Sequence, residues 1–145
     1  MKYIHFYFLL VFVVVIGCQD SGEKLPNDPF QHGVASGDPL VDAVIIWTRV
    51  TGDSLGEASV DWKMATDVEM KKVVQKGTIS TNESHDYTVK MDVKALKPNT
   101  TYYYQFEFGG YVSPVGRTLT APKEDITSLK LAVVSCSNYE AGYYN

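Results

Sequence analysis

The two cysteines are the residues of this chain with the most distinctive chemistry, and Cys136 is considered first. It follows the apolar run at residues 129–134, which is typical of a strand buried on both faces inside an α/β sheet. The carboxyl end of such a strand is where α/β folds place ligand and metal groups. A thiolate there is a good ligand for a transition metal and a poor one for magnesium or calcium. A single cysteine is more often a small buried residue, so the residues alone leave both roles open.

Cys18 completes a different pattern at the N-terminus. A basic start and the apolar run at residues 6–16, too short for the ~20 residues that cross a bilayer, are typical of a secretory signal. Gly17 and Cys18 resemble a bacterial lipobox, in which a small residue precedes a cysteine whose thiol accepts a lipid. We therefore predict a signal peptide with a lipobox over residues 1–17, lipidation of Cys18 and a flexible tether over residues 18–29. The protein is expected to be an exported bacterial lipoprotein, anchored to a membrane without spanning it, in the periplasm or on the cell surface.

The histidines that remain after this processing do not suggest a second site. His32 and His85 are far apart in the sequence, and neither has a partner at the spacing of metal ligands, such as i+2 or i+4. We expect each to be a surface or hydrogen-bonded residue. Residues 30–119 contain no arrangement that resembles a catalytic constellation.

The overall charge and the cysteine count exclude two further classes of protein. Lys and Arg number 13 against 17 Asp and Glu, which gives a net charge of −4 and none of the basic surface that phosphate-backbone contacts require. No nucleic-acid partner is therefore predicted. Two cysteines cannot form a disulfide framework.

The elements that precede Cys136 are predicted to be strands. Short β-rich runs in which apolar and polar residues alternate are separated by Gly, Pro, Asn and Asp turn signals. The clearest runs are residues 44–49, 60–65, 87–93 and 100–108. This pattern predicts an all-β, immunoglobulin or fibronectin type III-like antiparallel sandwich of about seven strands over residues 30–121. Residues 66–72 fit either one helical turn or a connection between strands.

Two aromatic residues are given structural roles in this sandwich. Residues 96–102 resemble the segment that enters the sixth strand of fibronectin type III domains, where a tyrosine hydroxyl bonds back to the preceding loop. This assigns the tyrosine corner to Tyr102. Trp47, on an early strand, is then expected to be a core residue. Tyr103 points to the face opposite Tyr102 and is expected to be exposed.

The chain changes character after the sandwich. Residues 122–128 form a polar linker, and residues 129–145 begin with the apolar run described above. A strand of that type needs helices on both faces, so we predict the incomplete start of an α/β domain, completed by a longer chain or by a partner. The alternative is an eighth strand of the sandwich.

Four separated segments together resemble the alkaline phosphatase D family: residues 30–39, 44–49, 113–118 and 133–144. The resemblance implies a fibronectin-like N-terminal domain followed by a calcineurin-like metallophosphatase domain that hydrolyses phosphate monoesters and diesters. It implies iron and calcium as cofactors of the complete enzyme, with Cys136 at the position of a ferric-iron ligand. Purple acid phosphatases also begin with a fibronectin-like domain, but residues 37–39, residues 47–49 and Cys136 fit the D-type family better.

The resemblance leads to a specific expectation for these 145 residues. The family's remaining metal ligands fall on later loops, so the chain by itself is expected to bind no metal stably, to contain no catalytic residue and to be inactive. Its partners are a phosphate-ester substrate in the complete enzyme and a membrane through the lipid. The alternative is a free-standing fibronectin-like surface lipoprotein that acts as a binding module, in which case the tail from Leu129 is dispensable.

Overall fold

The computed structural model describes residues 27–52, 55–128 and 132–133. Within these ranges the chain forms eight strands and one short 3-10 turn, Glu83–His85. The strands are β1 (Val34–Gly37), β2 (Val44–Arg49), β3 (Ala58–Ala65), β4 (Val73–Thr81), β5 (Thr88–Val93), β6 (Thr101–Phe108), β7 (Tyr111–Val112) and β8 (Gly116–Leu119). All of them fall inside residues 30–121, where the sequence predicts the sandwich.

The strands form two antiparallel sheets. One sheet has three strands in the order β1-β2-β5, and the other has five, with β4-β3-β6 followed by β7 and β8, which both pair with β6. The prediction of an all-β, fibronectin type III-like sandwich is confirmed. β7 and β8 are two halves of one edge strand, because the register against β6 shifts by one residue between them. Pro114 lies at this interruption. Proline has no backbone N–H, and at this position the edge strand does not need one for pairing with β6.

Alternation along the strands builds the core between the sheets. Trp62 and Met64 of β3 point inward, as do Tyr104 and Phe106 of β6, while the residues between them face solvent. Tyr104 and Phe106 meet edge to face, with ring centroids 6.2 Å apart. The buried cluster comprises Phe30, Val44, Ile46, Val50, Ala58, Val60, Trp62, Met64, Val89, Val93, Leu96, Tyr102, Tyr104 and Phe106.

The prediction that Trp47 is a core residue is wrong. Val44, Ile46 and Thr48 are the residues of β2 that point into the core, and Trp47 lies on the opposite face, partly exposed. Because side chains alternate along a strand, a core position for Ile46 excludes one for Trp47. The tryptophan that fills the core is Trp62, which is 5% exposed.

Tyr102 forms the predicted tyrosine corner. Its buried hydroxyl accepts a hydrogen bond from the backbone N–H of Lys97 at 2.9 Å. The hydroxyl of Thr120 closes the same loop from the other side, since it donates to the Lys97 carbonyl at 2.6 Å and accepts from the Thr100 N–H at 3.0 Å. These bonds fix the connection between β5 and β6 to the end of β8.

Residues 66–72, which the sequence left open, form a tight connection between β3 and β4. The Asp67 carboxylate accepts hydrogen bonds from the backbone N–H groups of Lys71 at 3.0 Å and Lys72 at 2.6 Å. The N–H of Thr66 donates to the Lys72 carbonyl at 3.1 Å and closes the hairpin. The segment is therefore a strand connection and contains no helix.

Candidate functional site

The residues that the sequence assigns to chemistry, Cys18 and Cys136, lie outside the described residues, as do the signal peptide, most of the tether and most of residues 129–145. Among the residues that the structure does describe, no group of three or more His, Cys, Asp and Glu side chains is arranged to hold a metal ion. In the same part of the chain, no helix has the length and apolar character needed to span a bilayer. The lipid and metal assignments therefore remain predictions.

A cluster of three polar side chains lies at the end of the sandwich where the N-terminal segment joins it. We call His32, Arg49 and Asp86 the arginine cluster. Nε and Nη2 of Arg49 donate to the two oxygens of the Asp86 carboxylate at 3.2 and 2.8 Å. Nη1 of Arg49 contacts Nε2 of His32 at 2.6 Å. Because a guanidinium can only donate, Nε2 of His32 serves as the acceptor in this contact.

Local backbone structure brings Asp86 to Arg49. The side chain of Asn82 accepts the backbone N–H of Ser84 at 3.1 Å and so caps the 3-10 turn. Asp86 follows in the left-handed region at φ 50°, which Asp tolerates better than most residues. Its N–H bonds to the Glu83 carbonyl at 2.9 Å, and its carboxylate then faces the end of β2.

The pair of charges in this cluster is mutually stabilising. The hydrogen bonds and charge of Arg49 lower the pKa of Asp86, and the hydrogen bonds from its guanidinium to Asp86 raise the pKa of Arg49. A bidentate arginine and carboxylate pair has a stronger and more directional contact than a single ion pair. Three donors of the guanidinium are therefore occupied within the chain itself.

The arginine cluster connects segments that are distant in the sequence. Beside it, the N–H of Thr51 donates to the Pro29 carbonyl at 2.9 Å, and the N–H of Val50 donates to the Tyr87 carbonyl at 3.1 Å. The Thr48 hydroxyl donates to the Gly33 carbonyl at 2.8 Å. The arrangement holds the segment before β1 against β2.

The sequence predicts the role of His32 in part and misses its partners. The expectation that His32 is a hydrogen-bonded surface residue is confirmed. The pairing of Arg49 with Asp86 was not predicted, because the two are 37 positions apart and no local pattern links them. The available signal was that His32 and Arg49 both fall in segments that resemble the alkaline phosphatase D family.

A shallow trough of about 400 Å³ crosses the outer face of the five-stranded sheet. Asp61 lies opposite Glu107 in one row, and Lys63 lies opposite Lys76 in the next. Like charges in directly opposed positions are unfavourable. Gln105, beside the lysines, donates to the Ser113 carbonyl at 2.9 Å. Among the described residues, no group arranged to hold a metal ion lines the trough.

Comparison with known proteins places the sandwich in a family. A family model described as the N-terminal domain of PhoD-like phosphatases matches residues 17–122. The chain is 42% identical over 125 residues to alkaline phosphatase D of Bacillus subtilis (strain 168), a match that covers 80% of this chain and 21% of that protein. The chain therefore spans about a fifth of the length of this relative.

Solved structures agree with this similarity. The structure of PhoD superposes with a TM-score of 0.65 and 40% identity, over 68% of this chain and 20% of that one. The sensor domain of the anti-sigma factor RsgI4 in Pseudobacteroides cellulosolvens superposes with a TM-score of 0.50 and 15% identity, over 74% of this chain and 92% of that one. The second likeness concerns the fold alone.

Proposed function

This chain belongs to the PhoD-like phosphatases, whose N-terminal domain it contains, and on that premise we propose that it is the N-terminal part of an exported enzyme that hydrolyses phosphate monoesters or diesters. The observation that carries the proposal is the 42% identity to alkaline phosphatase D of Bacillus subtilis (strain 168) together with the family match over residues 17–122. The family model matches the part of the chain that contains the sandwich, so the reaction itself is assigned to the part of such an enzyme that follows it.

The sandwich has a supporting role in this proposal. Its described residues contain no cluster of metal ligands. The guanidinium of Arg49 is already engaged by Asp86 and His32. We assign to this domain the folding and placement of the chain that follows it, and no step of the hydrolysis.

The described residues do not fit a site for iron or calcium, so no catalytic step is derived through either metal. Cys136 keeps its proposed role as one thiolate ligand of a ferric ion, because a thiolate suits a transition metal and because the residue falls in a segment that resembles the family. When bound, such ions would neutralise charge on the phosphoryl group and activate the attacking oxygen. The other ligands of that site are not among the described residues.

An assay of the 145-residue chain tests this assignment. Phosphate monoester and diester substrates are supplied with iron and calcium, and we expect no turnover above a protein-free control. Turnover that disappears in a Cys136→Ala variant would contradict the assignment of catalysis to residues outside this chain.

The DNA directly after codon 145 gives a second test. An in-frame continuation with Asp, Tyr and His ligand motifs supports the phosphatase, whereas its absence from the gene favours the free-standing binding module.

Membrane attachment through Cys18 is proposed separately. The support is the position of Cys18 at the junction between an apolar run and polar sequence, which fits a lipobox. Two or three acyl chains are enough for stable anchoring. In cells given labelled palmitate, we expect label and membrane association in the unsubstituted chain and in Cys136→Ser, and loss of both in Cys18→Ser. Equal labelling of the Cys18→Ser chain would exclude the anchor.

A further inference from the structure

Strand β5 is an edge strand of the three-stranded sheet, and in the described structure it pairs with β2 alone. The N–H of Val50 donates to the Tyr87 carbonyl at 3.1 Å, so Tyr87 and every second residue after it turn their backbone N–H and C=O groups toward β2. The residues that alternate with them turn these groups toward the free edge. They are Thr88, Lys90, Asp92 and Lys94.

Two side chains of β4 cap the ends of this free edge. The Thr81 hydroxyl donates to the Thr88 carbonyl at 2.8 Å, and Nε2 of Gln75 donates to the Lys94 carbonyl at 2.6 Å. We call Gln75 and Thr81 the edge caps. Between them, on the same face of β4, lie a glycine and an isoleucine, which have no side-chain donor. The edge caps therefore occupy carbonyl groups at the two ends of the edge and leave its centre uncapped.

The centre of the edge is complementary to itself. Lys90 and Asp92 flank Met91, and both are exposed. In an antiparallel pair of two β5 strands related by a two-fold axis at Met91, Lys90 lies opposite the partner's Asp92, and Asp92 lies opposite the partner's Lys90. Both residues point their backbone groups outward, so these are positions at which the two strands would exchange hydrogen bonds. Opposite charges in directly opposed positions stabilise strand pairing.

The same register accounts for the positions of the edge caps. It sets Thr88 opposite the partner's Lys94, so a ladder that extends to these positions needs the two carbonyl groups that Thr81 and Gln75 already occupy. An edge strand with unpaired N–H and C=O groups is a template for pairing with another chain. The edge caps therefore block the two positions on either side of the self-complementary centre.

We propose that the free edge of β5 is a pairing surface for a second copy of this chain, and that Gln75 and Thr81 hold it closed in the single molecule. The order of Lys90 and Asp92 about Met91 identifies the partner as a second copy, because the edge offers opposite charges to itself in this register. Pairing requires that both edge caps release their carbonyl groups. The proposal does not depend on phosphatase activity.

Sedimentation velocity of the full chain without the edge caps, Gln75→Ala/Thr81→Val, tests the proposal under reducing conditions. We expect a concentration-dependent dimer whose dissociation constant is at least about tenfold lower than that of the unsubstituted chain, because pairing no longer has to break two hydrogen bonds. Gln105→Ala is the matched control. It removes a similar bond, from Nε2 to the Ser113 carbonyl at 2.9 Å, that does not involve β5, and it should leave association unchanged.

Charge reversal tests the register. Added to the two cap substitutions, Lys90→Asp sets an acidic side chain opposite the partner's Asp92 at both positions, and it should abolish the dimer. Further addition of Asp92→Lys sets opposite charges against each other again and should restore the dimer.

Three results would overturn the proposal. The first is a variant without edge caps that is folded and monomeric at every concentration, and the second is an unsubstituted chain that dimerises as strongly as this variant. The third is a dimer that Lys90→Asp does not weaken. Thermal melting establishes that each variant is folded. Gln75→Ala alone leaves the buried Thr81 in place and should also dimerise more strongly than the unsubstituted chain, so its failure to do so overturns the proposal even if the double variant unfolds.

Discussion

The ring of Tyr104 lies directly over Gly116, its partner across the β6 and β8 pairing. A Cβ at Gly116 would fall 2.2 Å from Cζ of that ring. Trp62 covers Gly77 in the same way across β3 and β4, with 3.1 Å between Nε1 and the position of a Cβ. Both glycines lie on edge strands of the five-stranded sheet. Because neither glycine has a side chain, the aromatic ring of the neighbouring strand packs directly against its backbone.

Gly116→Ala should therefore destabilise the sandwich by about 3 kcal/mol, because the added methyl overlaps a buried ring that has no room to move. Urea denaturation followed by circular dichroism measures the change. Gly37→Ala is the control, since nothing lies within 4 Å of its Cβ position, and it should be neutral or slightly stabilising. Equal losses in the two variants would show that close packing at Gly116 is not the cause.

Tyr102→Phe should lower the free energy of unfolding by about 1–2 kcal/mol, because the Lys97 N–H would lose its acceptor in a partly buried site. The neighbouring Tyr103→Phe removes a hydroxyl with no hydrogen bond in the described structure and should change the free energy by less than about 0.5 kcal/mol. The two variants are compared by denaturant unfolding, and a Tyr102→Phe protein as stable as Tyr103→Phe would argue against the corner.

Substitution of the two tryptophans should lower the free energy of unfolding, measured by denaturant unfolding, by different amounts. Trp62→Ala removes a core side chain and should cost about 3–5 kcal/mol, whereas Trp47→Ala, on the outer face of β2, should cost about 1 kcal/mol or less. Iodide should quench the fluorescence of Trp62→Phe, which retains Trp47, more strongly than that of Trp47→Phe. The reverse order of quenching would place the wrong tryptophan in the core.

The pairing of Asp86 with Arg49 predicts a pH dependence of stability. Arg49 lowers the pKa of Asp86 below its ordinary value of 3.8, so the folded state favours the charged carboxylate. The stabilisation is fully present above that ordinary value and is lost as the pH falls through the lowered pKa. The unsubstituted chain should thus be more stable than Asp86→Asn at neutral pH, and the difference should disappear in acid.

Unfolding curves collected between neutral pH and acid test this expectation. Asp125→Asn is the control, because Asp125 makes no ion pair in the part of the chain that the structure describes, and its pH profile should match that of the unsubstituted chain. An Asp86→Asn profile that stays parallel to the unsubstituted one down to the lowest pH would show that the pair does not contribute.

The sequence predicted the strands whose alternation is strong. Residues 44–49 coincide with β2, and the runs at 60–65, 87–93 and 100–108 overlap β3, β5 and β6. β4 was not predicted as a strand, because Lys76 and Gly77 interrupt its apolar pattern and the strand is stabilised by pairing with β3 along its length. Alternation predicts a strand reliably where one face of the strand is buried and the other is exposed to solvent. It predicts an edge strand such as β4 poorly.

The sequence by itself determined the class of fold, the tyrosine corner at Tyr102 and the membership of a phosphatase family. Alternation, turn residues and the order of motifs can all be read without knowing which segments meet in space. Only the tertiary structure decided that Trp62 rather than Trp47 fills the core, since β2 is apolar on both faces and its inward face depends on the opposing sheet. The contact of Arg49 with Asp86 was decided there as well. It joins positions that are distant in sequence, and the pairing of β2 with β5 within one sheet brings them together.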